Sequence, residues 1–487
     1  MSLKHKTIHG LFWSSIDIFA TQGIQFIIGI ILARILAPRE FGLVGMLTIF
    51  IAVSQSFIDS GFSQALIRKN NCTQSDYSTV FYFNLAAGVL SYLLLFTFAE
   101  KISQFFDEPQ LKLLIRVLGI SLIISSFSLI QQTILTQNIN FKLQTRISLI
   151  SSISSGIVAT WLALRGFGVW SLVIRTLTMQ TIATILLWYW NSWKPMLLFS
   201  KKSFNNLFGF GSKLLLSGLL ETIYNNIYLV IIGKYFMAVE LGYFTRADQF
   251  KTIFSQNITT IVQRVSYPVL SSIQTESDQL LSSYKKLIRM TMFITFPLMF
   301  GLSAAALPLV VIAVGEKWIP SVIYLQLLSF AGMFYPLHAI NLNMLKVKGR
   351  SDLFLRLEVI KKLFAIPVIV LGILTNIKTM IVGIIVLNII SYYLNSYYSG
   401  RLIGYSFKQQ LQDIIPGFVL GLLTGIVMYL AGKLISNNYF LDFIIQLIVG
   451  IVFIFASGEM LKLKEYTYIK EIVMIQIAKL KSPRQTV

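Results

Sequence analysis

ARILAPREFGL, Ala33 to Leu43, lies between two long apolar runs, and GKYFMAVELGY, Gly233 to Tyr243, repeats its layout 200 positions later. Arg34 aligns with Lys234, Glu40 with Glu240 and Gly42 with Gly242. Pro38 has no amide hydrogen and disfavours helix at the residue before it, so it ends the first run. Gly42 allows close packing where the next run begins. The charges between the runs stay hydrated if the turn sits at a membrane face. The repeat therefore reads as one helix–helix turn used twice.

Composition supports that reading. Of 487 residues, 55% are hydrophobic and 13% charged, and the mean hydropathy is +0.72. Soluble domains carry about 25% charged residues. Window after window exceeds the roughly 18 apolar residues that cross a bilayer core. None shows the alternation of a transmembrane β-strand. The fold class is an all-α polytopic membrane protein. Fourteen spans are read, at 11–33, 41–67, 77–99, 113–137, 147–165, 168–190, 211–236, 243–268, 287–314, 320–345, 357–375, 379–400, 411–434 and 441–461. The first follows Lys4, His5 and Lys6 without a small-x-small cleavage site, and reads as a retained helix.

The repeat makes spans 1–6 and 7–12 a tandem duplication of a six-helix unit. Glu100-Lys101 after the third span and Glu316-Lys317 after the ninth agree with it. An even number of spans per unit gives both halves one orientation, related by an axis along the membrane normal. The domains are then a lobe over 1–195, a lobe over 196–405, two added spans within 406–461 and a basic tail over 462–487. The tail mixes Lys with Tyr468, Ile469, Ile472 and Leu480, as a helix lying on an anionic leaflet does.

A net charge of +21 suggests nucleic acid in a soluble protein. Topology explains it here. With the N-terminus in the cytoplasm, these limits put 23 of the 41 Lys and Arg on the cytoplasmic side, 6 outside and 12 within spans. This is the positive-inside distribution, with both termini cytoplasmic. Anionic lipid is the expected partner of this charge, and nucleic acid is not. The single cysteine, Cys72, excludes an intrachain disulfide, and His5, His9 and His338 with one cysteine are too few for a Cys/His zinc site. No Gly-rich phosphate loop with its lysine, no HExxH and no Gly-x-Ser-x-Gly is present, so neither a metal nor another cofactor is expected. Every loop is short, which weighs against an extramembrane catalytic domain and so against an enzyme.

Polar residues inside spans are costly and mark function or pairing. Here they fall into stripes at i, i+4, i+8, along one helix face. The first span carries Asp17, Thr21 and Gln25; the second Gln55, Asp59 and Ser63. The seventh carries Lys213, Ser217, Glu221 and Asn225, and the eighth Asp248, Thr252, Gln256, Thr260 and Arg264. The simplest geometry gathers these faces around one hydrated cavity between the halves. A salt bridge between Asp248 and Lys251 is the structural alternative for that acid, and Arg264 and Lys213 can instead snorkel to the interface. Arg175 is deeper and isolated.

ARILAPREFGLVGM, FIDSGFSQALIRK (Phe57 to Lys69) and LGYFTRADQF (Leu241 to Phe250) resemble the polysaccharide-transporter branch of the MOP superfamily, in particular its Wzx/TuaB-type exporters of lipid-linked oligosaccharides. The resemblance implies two six-helix lobes in a V-shaped arrangement. It implies alternating access and an undecaprenyl-pyrophosphate-linked oligosaccharide as substrate, in the cytoplasmic membrane. For such a substrate, the basic residues Arg34, Arg175, Arg246, Lys251 and Arg264 are the candidate contacts for the pyrophosphate. Arg246 is the best placed, in the matching YFTRA segment. Gln25, Asn225 and Gln256 are further substrate-binding candidates. Asp17, Asp59, Glu221 and Asp248 would bond sugar hydroxyls or bind a coupling H⁺ or Na⁺. A polysaccharide polymerase and a chain-length regulator are the implied protein partners. A lipid II flippase, a MATE-type cation antiporter and a membrane polymerase or ligase remain open as alternatives.

Overall fold

The computed structural model describes residues 20–69, 71–435 and 438–481. Helices account for nearly all of them: α1 (Ala20–Ile35), α2 (Pro38–Asp59), α3 (Phe62–Arg68), α4 (Gln74–Phe106), α5 (Gln110–Leu118), α6 (Ile120–Gln137), α7 (Phe141–Leu164), α8 (Val169–Trp190) and α9 (Lys201–Ser272). There follow α10 (Ser277–Ala304), α11 (Ala306–Val314), α12 (Ser321–Gly332), α13 (Tyr335–Val347), α14 (Ser351–Leu374), α15 (Ile377–Ile403), α16 (Phe407–Ile435), α17 (Tyr439–Met460) and α18 (Lys464–Lys481). Among the described residues, eleven helices are long and apolar enough to cross a membrane. The chain divides into two compact units, Met1–Thr245 and Arg246–Val487.

Two expected spans do not meet that measure as drawn, each for a local reason. The described part of the first is the short apolar α1. The eleventh, α14, carries Arg356, Glu358, Lys361 and Lys362 in its first half. Lys361 is bonded to Glu358 on the same helix, so part of that charge is neutralised in place.

The opening repeat decides how the first unit packs. Ala37, extended at φ −79° and ψ 154°, separates α1 from α2, and its amide donates to Glu40 Oε2 at 2.7 Å. In α9 the break comes at Met237, with φ 74° and ψ 159°. That is the residue aligned with Ala37, although no proline follows it. The 72-residue run is thus two helices meeting at the same repeat position. The two copies then cross each other. A Cβ on Gly42 would stand 1.7 Å from the carbonyl oxygen of Ala238, and one on Gly242 would stand 2.0 Å from that of Pro38. Residue 238 aligns with residue 38, so the contact is reciprocal and locally two-fold, as in an isologous interface. The flanking cations clamp the same corner: Lys234 pairs with Asp107 at 2.7 Å and Arg39 with Glu108 at 2.5 Å.

Met237 occupies a region of backbone space that only glycine visits freely. Met237→Gly is expected to stabilise the protein by about 1 kcal/mol, because it removes that strain. A raised thermal midpoint in detergent checks this; a lowered one contradicts it.

In the second unit, α18 is held by specific contacts. Arg289 of α10 reaches Asp413 of α16 at 3.8 Å and Glu465 of α18 at 3.5 Å. Lys470 is bonded to Glu459, whose carboxylate holds the ammonium above its usual range, so it stays charged at neutral pH. The Tyr466 ring lies against Gly458, where a Cβ would come within 2.5 Å.

Candidate functional site

A polar cavity of about 500 Å³ opens inside the first unit, lined from α1, α2, α6, α7 and α8. Its walls carry five glutamines, Gln25, Gln55, Gln132, Gln144 and Gln180, and seven hydroxyl residues, Thr21, Ser125, Ser128, Thr136, Ser148, Ser151 and Ser152. Among the described residues, none of those lining the cavity is ionisable. The serines recur three or four apart along α6 and α7, so they share a helix face. Several give their proton to their own helix, a common resolution for serine within a helix. Ser128 Oγ donates to Ser125 O at 2.8 Å, and Ser151 Oγ donates to Ile147 O. Ser125 Oγ lies 3.0 Å from both Leu122 O and Gln55 Oε1. These hydroxyls keep their lone pairs for another donor. Gln144 Nε2 donates to Thr136 Oγ1 at 2.9 Å, and Gln25 Nε2 points at Met179 Sδ at 3.8 Å. Gln180 Oε1 is buried without a protein partner among the described residues.

The polar faces of the first two spans do meet in this cavity, through Thr21, Gln25 and Gln55. They meet α6, α7 and α8 there. Several expected site residues stand elsewhere in this unit. Asp59 accepts from the Ser63 amide at 3.2 Å, which caps the start of α3. Glu221 and Asn225 are exposed on α9, and Arg34 is exposed at the end of α1. Arg175 is half-buried on α8, one turn before Met179, and is not in the cavity lining. Asp17 lies outside the described residues. Sequence reading missed Ser125, Ser128, Gln132, Gln144, Ser148, Ser151, Ser152 and Gln180. The signal was present in SLIISSFSLIQQ and ISLISSISSG, where serine recurs at helical spacing.

In the second unit the expected residues of the eighth span separate. Gln256 and Arg264 are exposed. Lys251 is buried, pairs with Asp248 at 2.6 Å, and lies 5.0 Å from the Tyr335 ring centre. The salt bridge weighed for Asp248 is therefore present. Arg246 is only 2% exposed; it donates to Gln249 Oε1 at 2.7 Å and stacks over Trp318 at 5.1 Å. A buried polar network also runs through α10, α13 and α15. The Tyr284 hydroxyl donates to Asn341 Oδ1 at 2.9 Å, and His338 lies between Asn388 at 3.1 Å and Asn395 at 3.3 Å. Among the described residues, no cluster of His, Cys, Asp or Glu could hold a metal ion.

The second unit also contains an apolar groove of about 530 Å³, walled by Phe293, Pro297, Leu302, Met428, Ile451 and Phe455 among others. Lys470 and Tyr466 of α18 stand in its wall. It contrasts with the first unit's cavity: one is lined by amides and hydroxyls, the other by hydrocarbon.

A family model described as polysaccharide biosynthesis protein matches residues 31–323. The teichuronic acid biosynthesis protein TuaB of Bacillus subtilis is 28% identical over 72% of this chain and 73% of its own length. The lipopolysaccharide biosynthesis protein WzxC of Escherichia coli is 24% identical over 90% of each. Among solved structures, the lipid II flippase MurJ in an inward closed conformation superposes with a TM-score of 0.75 at 16% identity, over 93% of this chain and 98% of that one. An inward-facing MATE transporter of the MOP superfamily gives 0.60 at 15%, over 81% and 98%. At these identities the two structures establish the fold.

Proposed function

Because the chain belongs to the polysaccharide biosynthesis protein family, we propose that it moves an undecaprenyl-pyrophosphate-linked oligosaccharide from the cytoplasmic to the outer leaflet by alternating access. The observation that carries this reading is a pair of volumes: a hydroxyl-and-amide cavity in one unit and a hydrocarbon groove in the other. An amphipathic cargo needs both, since unpaired polar groups are costly in an apolar setting. The lipid chain occupies the groove or the adjoining bilayer while the glycan travels through protein. The named relatives support the cargo class, and the flippase-type fold supports the mode of movement.

Fourteen spans follow if α9 counts twice at its break and α1 and α14 are admitted. The halves over 1–195 and 196–405, the added pair within 406–461 and the cytoplasmic tail complete the scheme, with N- and C-termini inside. A coupling H⁺ or Na⁺ supplies the drive, and a polymerase and chain-length regulator take the product outside. Transport, rather than catalysis, fits a chain whose described residues are almost all helix and whose connections are short.

Depleting the protein should accumulate lipid-linked oligosaccharide on the cytoplasmic face, with drug sensitivity unchanged. Accumulation on the outer face would point to polymerisation, and drug sensitivity alone to cation efflux.

Arg246 acts in this scheme as a positioning residue, since it is packed against Trp318. The stacked guanidinium is worth on the order of 1–2 kcal/mol. Arg246→Ala should lower transport about tenfold, and Arg246→Lys should restore only part of it, because lysine keeps the charge but not the planar fork. Undiminished transport in both variants would remove Arg246 from the mechanism.

A further inference from the structure

We propose that the cavity of the first unit is a saccharide-binding subsite, which takes uncharged sugar units of the cargo by their hydroxyls and leaves the pyrophosphate elsewhere. This rests on the flippase reading above and assigns it a place. The chemistry of the lining selects the ligand. At about 500 Å³ the cavity falls within the roughly 300–1,000 Å³ of small-molecule sites. A pyrophosphate taken from water needs cations or many convergent donors, and no described lining residue is basic. An organic cation needs a carboxylate or an open aromatic face, and among the described residues the lining has neither. A hydrocarbon chain would strand the glutamine amides and serine oxygens without partners.

A sugar meets none of these objections. Each of its hydroxyls both donates and accepts, and glutamine side chains do the same. Ser125, Ser128 and Ser151 have committed their protons to protein acceptors, and so present lone pairs to sugar hydroxyl donors. Gln180 Oε1 and the Gln25 amide, now facing only Met179 sulfur at 3.8 Å, gain proper partners when a saccharide enters. Met179 and Leu187, also in the lining, offer the apolar contact that the C–H face of a sugar ring needs.

The test uses full-length protein in proteoliposomes and a polyprenyl-pyrophosphate lipid whose neutral disaccharide carries a photoreactive diazirine. Transport is followed by quenching of a label on the lipid, and crosslinked peptides are mapped by mass spectrometry. Wild type should move the lipid and crosslink in α6, α7 and α8. Gln55→Leu/Gln180→Leu should cut that crosslinking about tenfold, the loss of one or two buried hydrogen bonds, with an unchanged thermal midpoint. Transport with crosslinks confined to other segments, or crosslinking untouched by the double substitution, would overturn the subsite and leave the flippase reading standing. Failure of wild type to move the lipid at all would overturn the flippase reading and, with it, this inference. The wild-type crosslink map decides the question even where the double variant fails to fold.

Discussion

Alanine at Gly42 or at Gly242 is expected to remove most of the folded protein. The Cβ would lie 1.7 Å from Ala238 O in the first case and 2.0 Å from Pro38 O in the second. Both obstacles are backbone, so no rotamer change relieves them. The helices must separate, and overpacking of this kind costs about 1–3 kcal/mol or more. Membrane helices depend on such small-residue contacts, because lipid offers them no hydrophobic drive to associate. The two substitutions should have similar effects, since the contact is reciprocal. One separation of the helices relieves both clashes, so the double variant should be little worse than either single, a coupling between neighbouring sites. Thermal midpoints of the three variants in one detergent measure this. Additive losses, or a single variant as stable as wild type, would contradict the crossing.

The second large effect concerns the ion pair of the second unit. Lys251 is buried, while the Asp248 side chain is 42% exposed. Removing the acid strands a buried ammonium against the Tyr335 ring. Removing the lysine leaves an aspartate that water can solvate. Breaking a fully buried pair costs about 3–5 kcal/mol, and the exposure of Asp248 brings Asp248→Asn nearer to ~2 kcal/mol. Lys251→Met should cost clearly less. Asp248→Asn/Lys251→Met should regain most of the stability, since no charge is left unpaired. Transport in that double variant separates two roles for Asp248. Recovery with stability makes the pair structural. A stable but inactive double variant makes Asp248 a group that meets ion or cargo.

Much of the fold was legible in the residues. Long apolar windows gave the helices, and Pro38 gave the break before α2. The repeat at Gly233 to Tyr243 carried that break to Met237, where no proline marks it. A span was read at 357–375, but the charged first half of α14 keeps that helix below the measure that eleven others meet. The site was less legible. Charges draw attention inside a membrane, so Asp59, Glu221, Asp248 and Arg246 stood out. The first unit instead builds its cavity from amides and hydroxyls, whose single residues look ordinary. Arg246 matched a family motif, yet no sequence pattern says that Trp318 covers it. The basic pattern of the tail was readable, but its attachment through Arg289 and Glu465 depends on residues about 175 positions apart.

This chain alone is expected to move a glycan-bearing lipid. Purified protein in proteoliposomes, loaded with a polyprenyl-pyrophosphate disaccharide labelled on its sugar, tests it most directly. The label should become accessible to a membrane-impermeant lectin on the opposite face when an H⁺ or Na⁺ gradient is applied, and not in vesicles carrying the Gly42→Ala/Gly242→Ala protein. Label that stays on its original leaflet in the presence of well-folded wild-type protein, under both gradients, would contradict it.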